Sequence, residues 1–210
     1  MFAPGAGRII GPPGVVALVF ALVAAFGSLH GVLFGGVALV AAVAAGVAIF
    51  FAVFFRDPER SPGEGIVAAA DGRIRAVDTV EGRLRISVFM NVTNVHVNRF
   101  PLDASVEGIS DAGSGFEAAY RPAAEHNVQR QYRLSSALGP VEVIQITGVV
   151  ARRLVSFVGS GSVGHKGERL GMIVLGSRVD VVLPAGRVRA VVRVGDRVRA
   201  GTTTIAREVP

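Results

Sequence analysis

GRIRAVDTVEGRLRISVFM, residues 72–90, alternates apolar with charged or polar side chains. In its second half Leu84, Ile86, Val88 and Met90 fall on one side, and Arg83, Arg85 and Ser87 on the other. A spacing of two belongs to a strand with one buried face, not to a helix. The habit continues in VHVNRF (95–100), VEVIQITGVV (141–150), RRLVSFVG (152–159), VDVVLP (179–184), RVRAVVRV (187–194) and TTTIARE (202–208). Gly, Asp and Pro punctuate these runs at intervals of roughly ten residues. No amphipathic helix exceeds about three turns, and residues 113–131 read as a long loop with helical turns. The expected fold is mainly β, a sandwich or partly open barrel.

The last stretch, GRVRAVVRVGDRVRAGTTTIA (186–206), has the strand-turn-strand look of a barrel-sandwich module of the biotinyl/lipoyl type. That likeness concerns fold alone. Ahead of the β region, residues 14–55 contain no charged side chain. A spanning helix needs about 20 apolar residues, so this block predicts an N-terminal hydrophobic helical hairpin, broken at GSLHG (27–31). The first arm is short, which leaves open two crossings or a shallow re-entrant hairpin. The block is too long for a cleaved signal peptide. Arg8 precedes it and Arg56 and Arg60 follow it, which puts both flanks in the cytoplasm by the positive-inside rule. His30, in the break, reads as an interfacial polar residue. The predicted organisation is a tail (1–13), a membrane hairpin (14–55), a Pro- and Gly-rich linker (56–65) and a working β domain (66–210), at the cell membrane on its cytoplasmic side.

Of the 22 basic residues only Lys166 is lysine, against 16 acids, for a net charge of +6. Such a balance suits an anionic partner. Arg interleaved with Val describes the wet faces of strands, and stacking aromatics are few, so the partner is a membrane surface and not a nucleic acid. Cysteine is absent, which excludes disulfides, thiolate metal sites and a cysteine nucleophile. The four histidines show no ligand spacing, so no metal is expected. GSGSVG (159–164) satisfies G-x-G-x-x-G, but HKGERLG follows it where a nucleotide site needs a helix; it reads as a glycine-rich turn.

VLGSRVDVVLP (174–184) carries Gly176-Ser177 inside what otherwise reads as one buried strand. Glycine weakens a strand, and a buried hydroxyl needs a partner. The pair is either a kink in an edge strand or a reactive serine beside a flexible peptide bond. Asp71 is either part of an Asp-Gly hairpin turn or a functional carboxylate. His96, between two valines, is either a satisfied strand histidine or a base. Arg152 and Arg153 either meet a phosphate or sit in solvent. Together Asp71, His96 and Ser177 make an Asp-His-Ser set without the G-x-S-x-G elbow of an esterase. A serine in an apolar strand is better placed to attack the Gly176 carbonyl than an external ester.

The chain resembles the phosphatidylserine decarboxylase family in its short, membrane-anchored form. FFRDPER (54–60), ADGRI (70–74), NVHVNRFP (94–101), GVVARRLV (148–155) and GERLGMIVLGSRVDVVLP (167–184) carry the resemblance, in order, through nearly the whole β domain. The resemblance implies a self-processing proenzyme. His96, held by Asp71, deprotonates Ser177, whose oxygen attacks Gly176. The chain then divides at 176/177 into a β chain (1–176) and an α chain (177–210) headed by a pyruvoyl group made from Ser177. That cofactor implies decarboxylation of a serine-headgroup phospholipid, diacyl or archaeal ether, with His96 as proton donor and Arg152 and Arg153 as phosphate contacts. Two features depart from the long form of the family: Thr93 stands where that form has a second histidine, and Arg178 follows the serine. Oligomeric state is left open, a homo-oligomer included. Two rivals remain, a membrane-tethered serine hydrolase and a non-catalytic barrel-sandwich adaptor or carrier; Lys166 lacks the flanks that a carrier lysine needs.

Overall fold

The computed structural model describes residues 1–26, 31–115, 117–119, 121–149, 153–174 and 177–209. The chain divides into two units, Met1–Pro58 and Glu59–Pro210.

The first unit is a pair of apolar helices, α1 (Gly7–Phe26) and α2 (Gly31–Phe54). Both are long and apolar enough to cross a membrane, over Gly7–Ala25 and Phe34–Phe54. Valine and leucine side chains such as Val15, Leu18, Leu39 and Val43 are exposed, as lipid-facing residues are. Helix α1 begins at Gly7, ahead of the uncharged block, and holds Pro12 and Pro13. The start and finish of the pair are tied together: Ala3 N–H donates to the Phe55 carbonyl at 2.8 Å and Asp57 N–H to Met1 at 2.8 Å. Arg56 caps the end of α2 by donating to the Val53 carbonyl at 2.6 Å. His30 and the rest of 27–30 lie outside the described residues.

The second unit is the β domain. Its strands are β1 (Ile66–Val67), β2 (Gly72–Val80), β3 (Arg83–Met90), β4 (Val97–Arg99), β5 (Ala104–Ala112), β6 (Gln129–Ser136) and β7 (Gly139–Thr147). There follow β8 (Arg153–Ser156), β9 (Val163–Gly164), β10 (Arg169–Val174), β11 (Ser177–Pro184), β12 (Val188–Ala190), β13 (Arg197–Val198) and β14 (Thr204–Glu208). Eight form one antiparallel sheet in the order β13-β2-β3-β11-β7-β6-β5-β9, curled into a half-barrel. Two smaller sheets, β1-β14-β12 and β4-β10-β8, accompany it. Ile74, Ile86, Val88, Val179, Val181 and Leu183 fill the core with Leu170 and Ile173 of the small sheet. Each such side chain contributes roughly 1.5–3 kcal/mol when fully buried. The large sheet ends on two-residue strands, a common guard against edge-to-edge pairing.

The mainly β expectation holds. Its details shift in three places. Residues 174–184 are not one kinked strand: β10 ends at Val174 in the small sheet and β11 opens at Ser177 in the large one. Asp71-Gly72 makes no hairpin turn, because Gly72 opens β2; a Cβ there would lie 2.1 Å from the Phe89 carbonyl oxygen, so the close approach of β3 demands glycine. The loop at 113–131 holds a 3₁₀ turn at Pro122–His126, but β6 already begins at Gln129.

Candidate active site

Ser177 is the first residue of β11, and the register pairs it with Met90 on β3 and Thr147 on β7. It is fully buried, and its hydroxyl donates to the Met90 thioether at 3.3 Å. A thioether is a weak acceptor, so this hydroxyl gives up little if its proton goes elsewhere. Leu175, Gly176 and Arg152 lie outside the described residues.

His96 immediately precedes β4 and is fully buried. Its carbonyl accepts from Ile173 N–H at 3.3 Å, which fixes it beside β10, four residues before Ser177. The ring Nδ1 lies 2.9 Å from the Asn94 carbonyl. A carbonyl can only accept, so the proton belongs on Nδ1 and Nε2 is the basic nitrogen.

Asp71 lies at the end of a segment that runs antiparallel to β4. Val67 N–H donates to the Pro101 carbonyl, and Arg99 N–H to Ala69, each at 2.9 Å. The chain then leaves this pairing in a bend at Ala69, Ala70 and Asp71 before Gly72 opens β2. The Asp71 carboxylate is gripped by Arg60, Nη1 to Oδ1 at 2.5 Å and Nη2 to Oδ2 at 2.9 Å, and accepts from Ala200 N–H at 2.8 Å. Arg60 sits in what reads as a linker, and nothing local marked it except its place in FFRDPER.

Beneath Ser177 runs a buried polar chain that the alternation pattern alone did not single out. Tyr132 Oη donates to Gln145 Oε1 at 3.3 Å, Gln145 Nε2 to Asn98 Oδ1 at 2.7 Å, and Asn98 Nδ2 reaches Met90 Sδ at 3.7 Å. Burial holds the Tyr132 hydroxyl above its ordinary pKa. Asn127, also buried, donates to the Thr147 carbonyl at 2.7 Å and so pins the loop before β6 to the strand end beside Ser177.

On the opposite face of β11, Arg178 and Asp180 form a buried bidentate pair at 2.9 and 2.8 Å. Glu125 of the 3₁₀ turn lies 3.9 Å from Arg178 and 2.8 Å from Arg85 of β3. An antiparallel sheet commonly leaves one face wet; here charge pairs and the 3₁₀ turn cover it, and seven of the eight β11 residues are buried. Arg153 is exposed and opens β8 opposite Val174.

A family model described as phosphatidylserine decarboxylase matches residues 47–206, which holds every residue of this arrangement. The chain belongs to the phosphatidylserine decarboxylase family. This is the family that the five motifs pointed to. A phosphatidylserine decarboxylase proenzyme of Thermobifida fusca is 44% identical over 155 residues, covering 73% of this chain and 71% of the relative. One from Nitratidesulfovibrio vulgaris is 43% identical over 166 residues, 74% and 76% of the two chains. A Halobacterium salinarum relative, 44% identical over 156 residues and 72% and 78% of the chains, bears the name of an archaetidylserine decarboxylase proenzyme. Like the family, the chain is an enzyme, a decarboxylase.

Proposed function

We propose that the chain is a proenzyme that cuts itself between Gly176 and Ser177 and then decarboxylates the serine headgroup of a membrane phospholipid. The observation that carries this reading is the Ser177 hydroxyl, fully buried at the passage from one sheet to another, with a thioether as its acceptor. His96 Nε2 takes the hydroxyl proton. Asp71 supplies the negative charge that steadies the resulting imidazolium. The Ser177 oxygen then bonds to the Gly176 carbonyl carbon, the C–N bond breaks, and the amine takes the proton from His96. Loss of the Ser177 α-proton expels the Gly176 carboxylate and leaves a dehydroalanine, which water converts to a pyruvoyl group with release of ammonia. The products are a β chain, 1–176, and an α chain, 177–210.

Ser177 suits this fate because its neighbours hold the strand end rigidly from both sides. A pyruvoyl carbonyl supplies the electron sink for the pair left when CO₂ departs. His96 gives a proton to the carbon that lost CO₂, and Arg153, with Arg152, meets the phosphate. The headgroup chemistry is the same for diacyl and archaeal ether lipids. The arginines that flank the apolar helices support a cytoplasmic β domain.

Intact-mass spectrometry of the purified full chain, beside Ser177→Ala, tests this. Expected are two pieces divided at 176/177, the smaller lighter by one ammonia than a serine-headed peptide, and one uncut Ser177→Ala chain. An uncut native chain would overturn the reading and favour a serine hydrolase. In the same preparation, Arg153→Glu should leave the cut intact and raise the KM for lipid.

A further inference from the structure

We propose that Val92 and Val149, just beyond the ends of β3 and β7, form a rim beside Ser177 that dips into the surface of a phospholipid bilayer. The inference rests on the reading above, because it concerns how a lipid headgroup reaches that residue without leaving its membrane.

Ser177 is hydrogen-bonded between two strands that both finish beside it, β3 at Met90 and β7 at Thr147. Two strand spacings separate those ends, about 10 Å. Two residues beyond each end the chain presents a valine to solvent: Val92 is 45% exposed and Val149 57%. The first loop is a tight turn, closed by Asn94 N–H donating to the Asn91 carbonyl at 2.9 Å and Asn91 N–H donating to Asn94 Oδ1 at 2.7 Å. The turn thrusts Val92 and Thr93 outward. Turn tips favour Gly, Pro, Asn, Asp and Ser, so turn chemistry does not call for valine there. No charged residue occurs in NVTNV (91–95) or TGVVA (147–151) of a chain with net charge +6. Arg152 comes next in the sequence and then the exposed Arg153, opposite Val174. Exposed valines accompanied by a cation match the layering of a bilayer surface, acyl carbon below phosphate. Val163 is also exposed, at 72%, but belongs to β9, four strands from β11 at the far edge of the sheet.

The chain has no tryptophan, so Val92→Trp, Val149→Trp and Val163→Trp each create a single reporter. Each full-length variant is reconstituted into phosphatidylcholine/phosphatidylglycerol vesicles, with or without brominated acyl chains. Blue-shifted emission quenched by bromine is expected at 92 and 149, and neither effect at 163. Equal behaviour at all three positions, or water-like emission at 92 and 149, would overturn the rim. Quenching between labelled chains that ignores bromine would assign the loops to a second copy and overturn it equally. A Val92→Asp/Val149→Asp variant should still cut at 176/177 and turn over detergent-dispersed lipid normally, yet lose about tenfold on vesicles, as removal of two apolar anchors implies. Failure of the cut in wild-type chain would sink the proenzyme reading and leave the quenching result standing.

Discussion

Arg60 and Asp71 illustrate what two side chains do that neither does alone. Both are only 10% exposed, and the guanidinium fork matches the carboxylate with two bonds. Removing one partner of such a pair strands the other charge away from water, which typically costs 3–5 kcal/mol. Arg60→Met should therefore lower unfolding stability in denaturant titration by about 3 kcal/mol and slow the appearance of cut chain. Arg60→Lys keeps the charge but loses the fork, and should fall between. Wild-type stability together with a wild-type cutting rate in Arg60→Met would remove Arg60 from the site. This residue shows where the sequence falls silent. RDPERSPGEG has no periodicity, so only family likeness, never local pattern, marks Arg60.

Among the elements, the strongly alternating runs were legible because one face is buried and the other wet. β3, β7 and β11 appear where the alternation lies. β5 and β6 were missed, since ASVEGISDA and QRQYRLSS mix polar residues on both faces. Only Val188–Ala190 of RVRAVVRV pairs as a strand, because alternation announces a strand and cannot say whether a neighbour is there to bond it. The same blindness made one strand of β10 and β11. The Gln145–Asn98 bond spans 47 positions and two sheets, so no local window contains it. Cross-strand ion pairs belong to this scale too. Asp111 and Arg130 face each other on β5 and β6 with two bonds of 2.7 Å. The Arg130 hydrogen bonds hold the Asp111 carboxyl below its ordinary pKa. The folded state thus binds fewer protons there than the unfolded chain. Its contribution is complete above the usual aspartate value, about 3.9, and is lost as pH falls through the lowered one. Arg130→Met should flatten the fall of the urea midpoint between pH 5 and 3; an unchanged slope would discount the pair.

At the scale of the whole molecule, the proposed α chain is woven into the β chain. β11 lies between β3 and β7, β13 pairs with β2, and β14 pairs with β1. The cut would therefore sever a bond without creating a boundary. The two pieces should co-elute in size-exclusion chromatography under native conditions and separate only in denaturant; native separation would contradict this strand order. The weave also carries a message about time. Ala200, 129 positions after Asp71, donates one of the hydrogen bonds that seat that carboxylate. A polypeptide still emerging from the ribosome lacks that donor and the strand that carries Ser177. Under the proposed cut, synthesis itself would act as the clock: scission would wait for a finished parent, and the two daughters would be born in equal number.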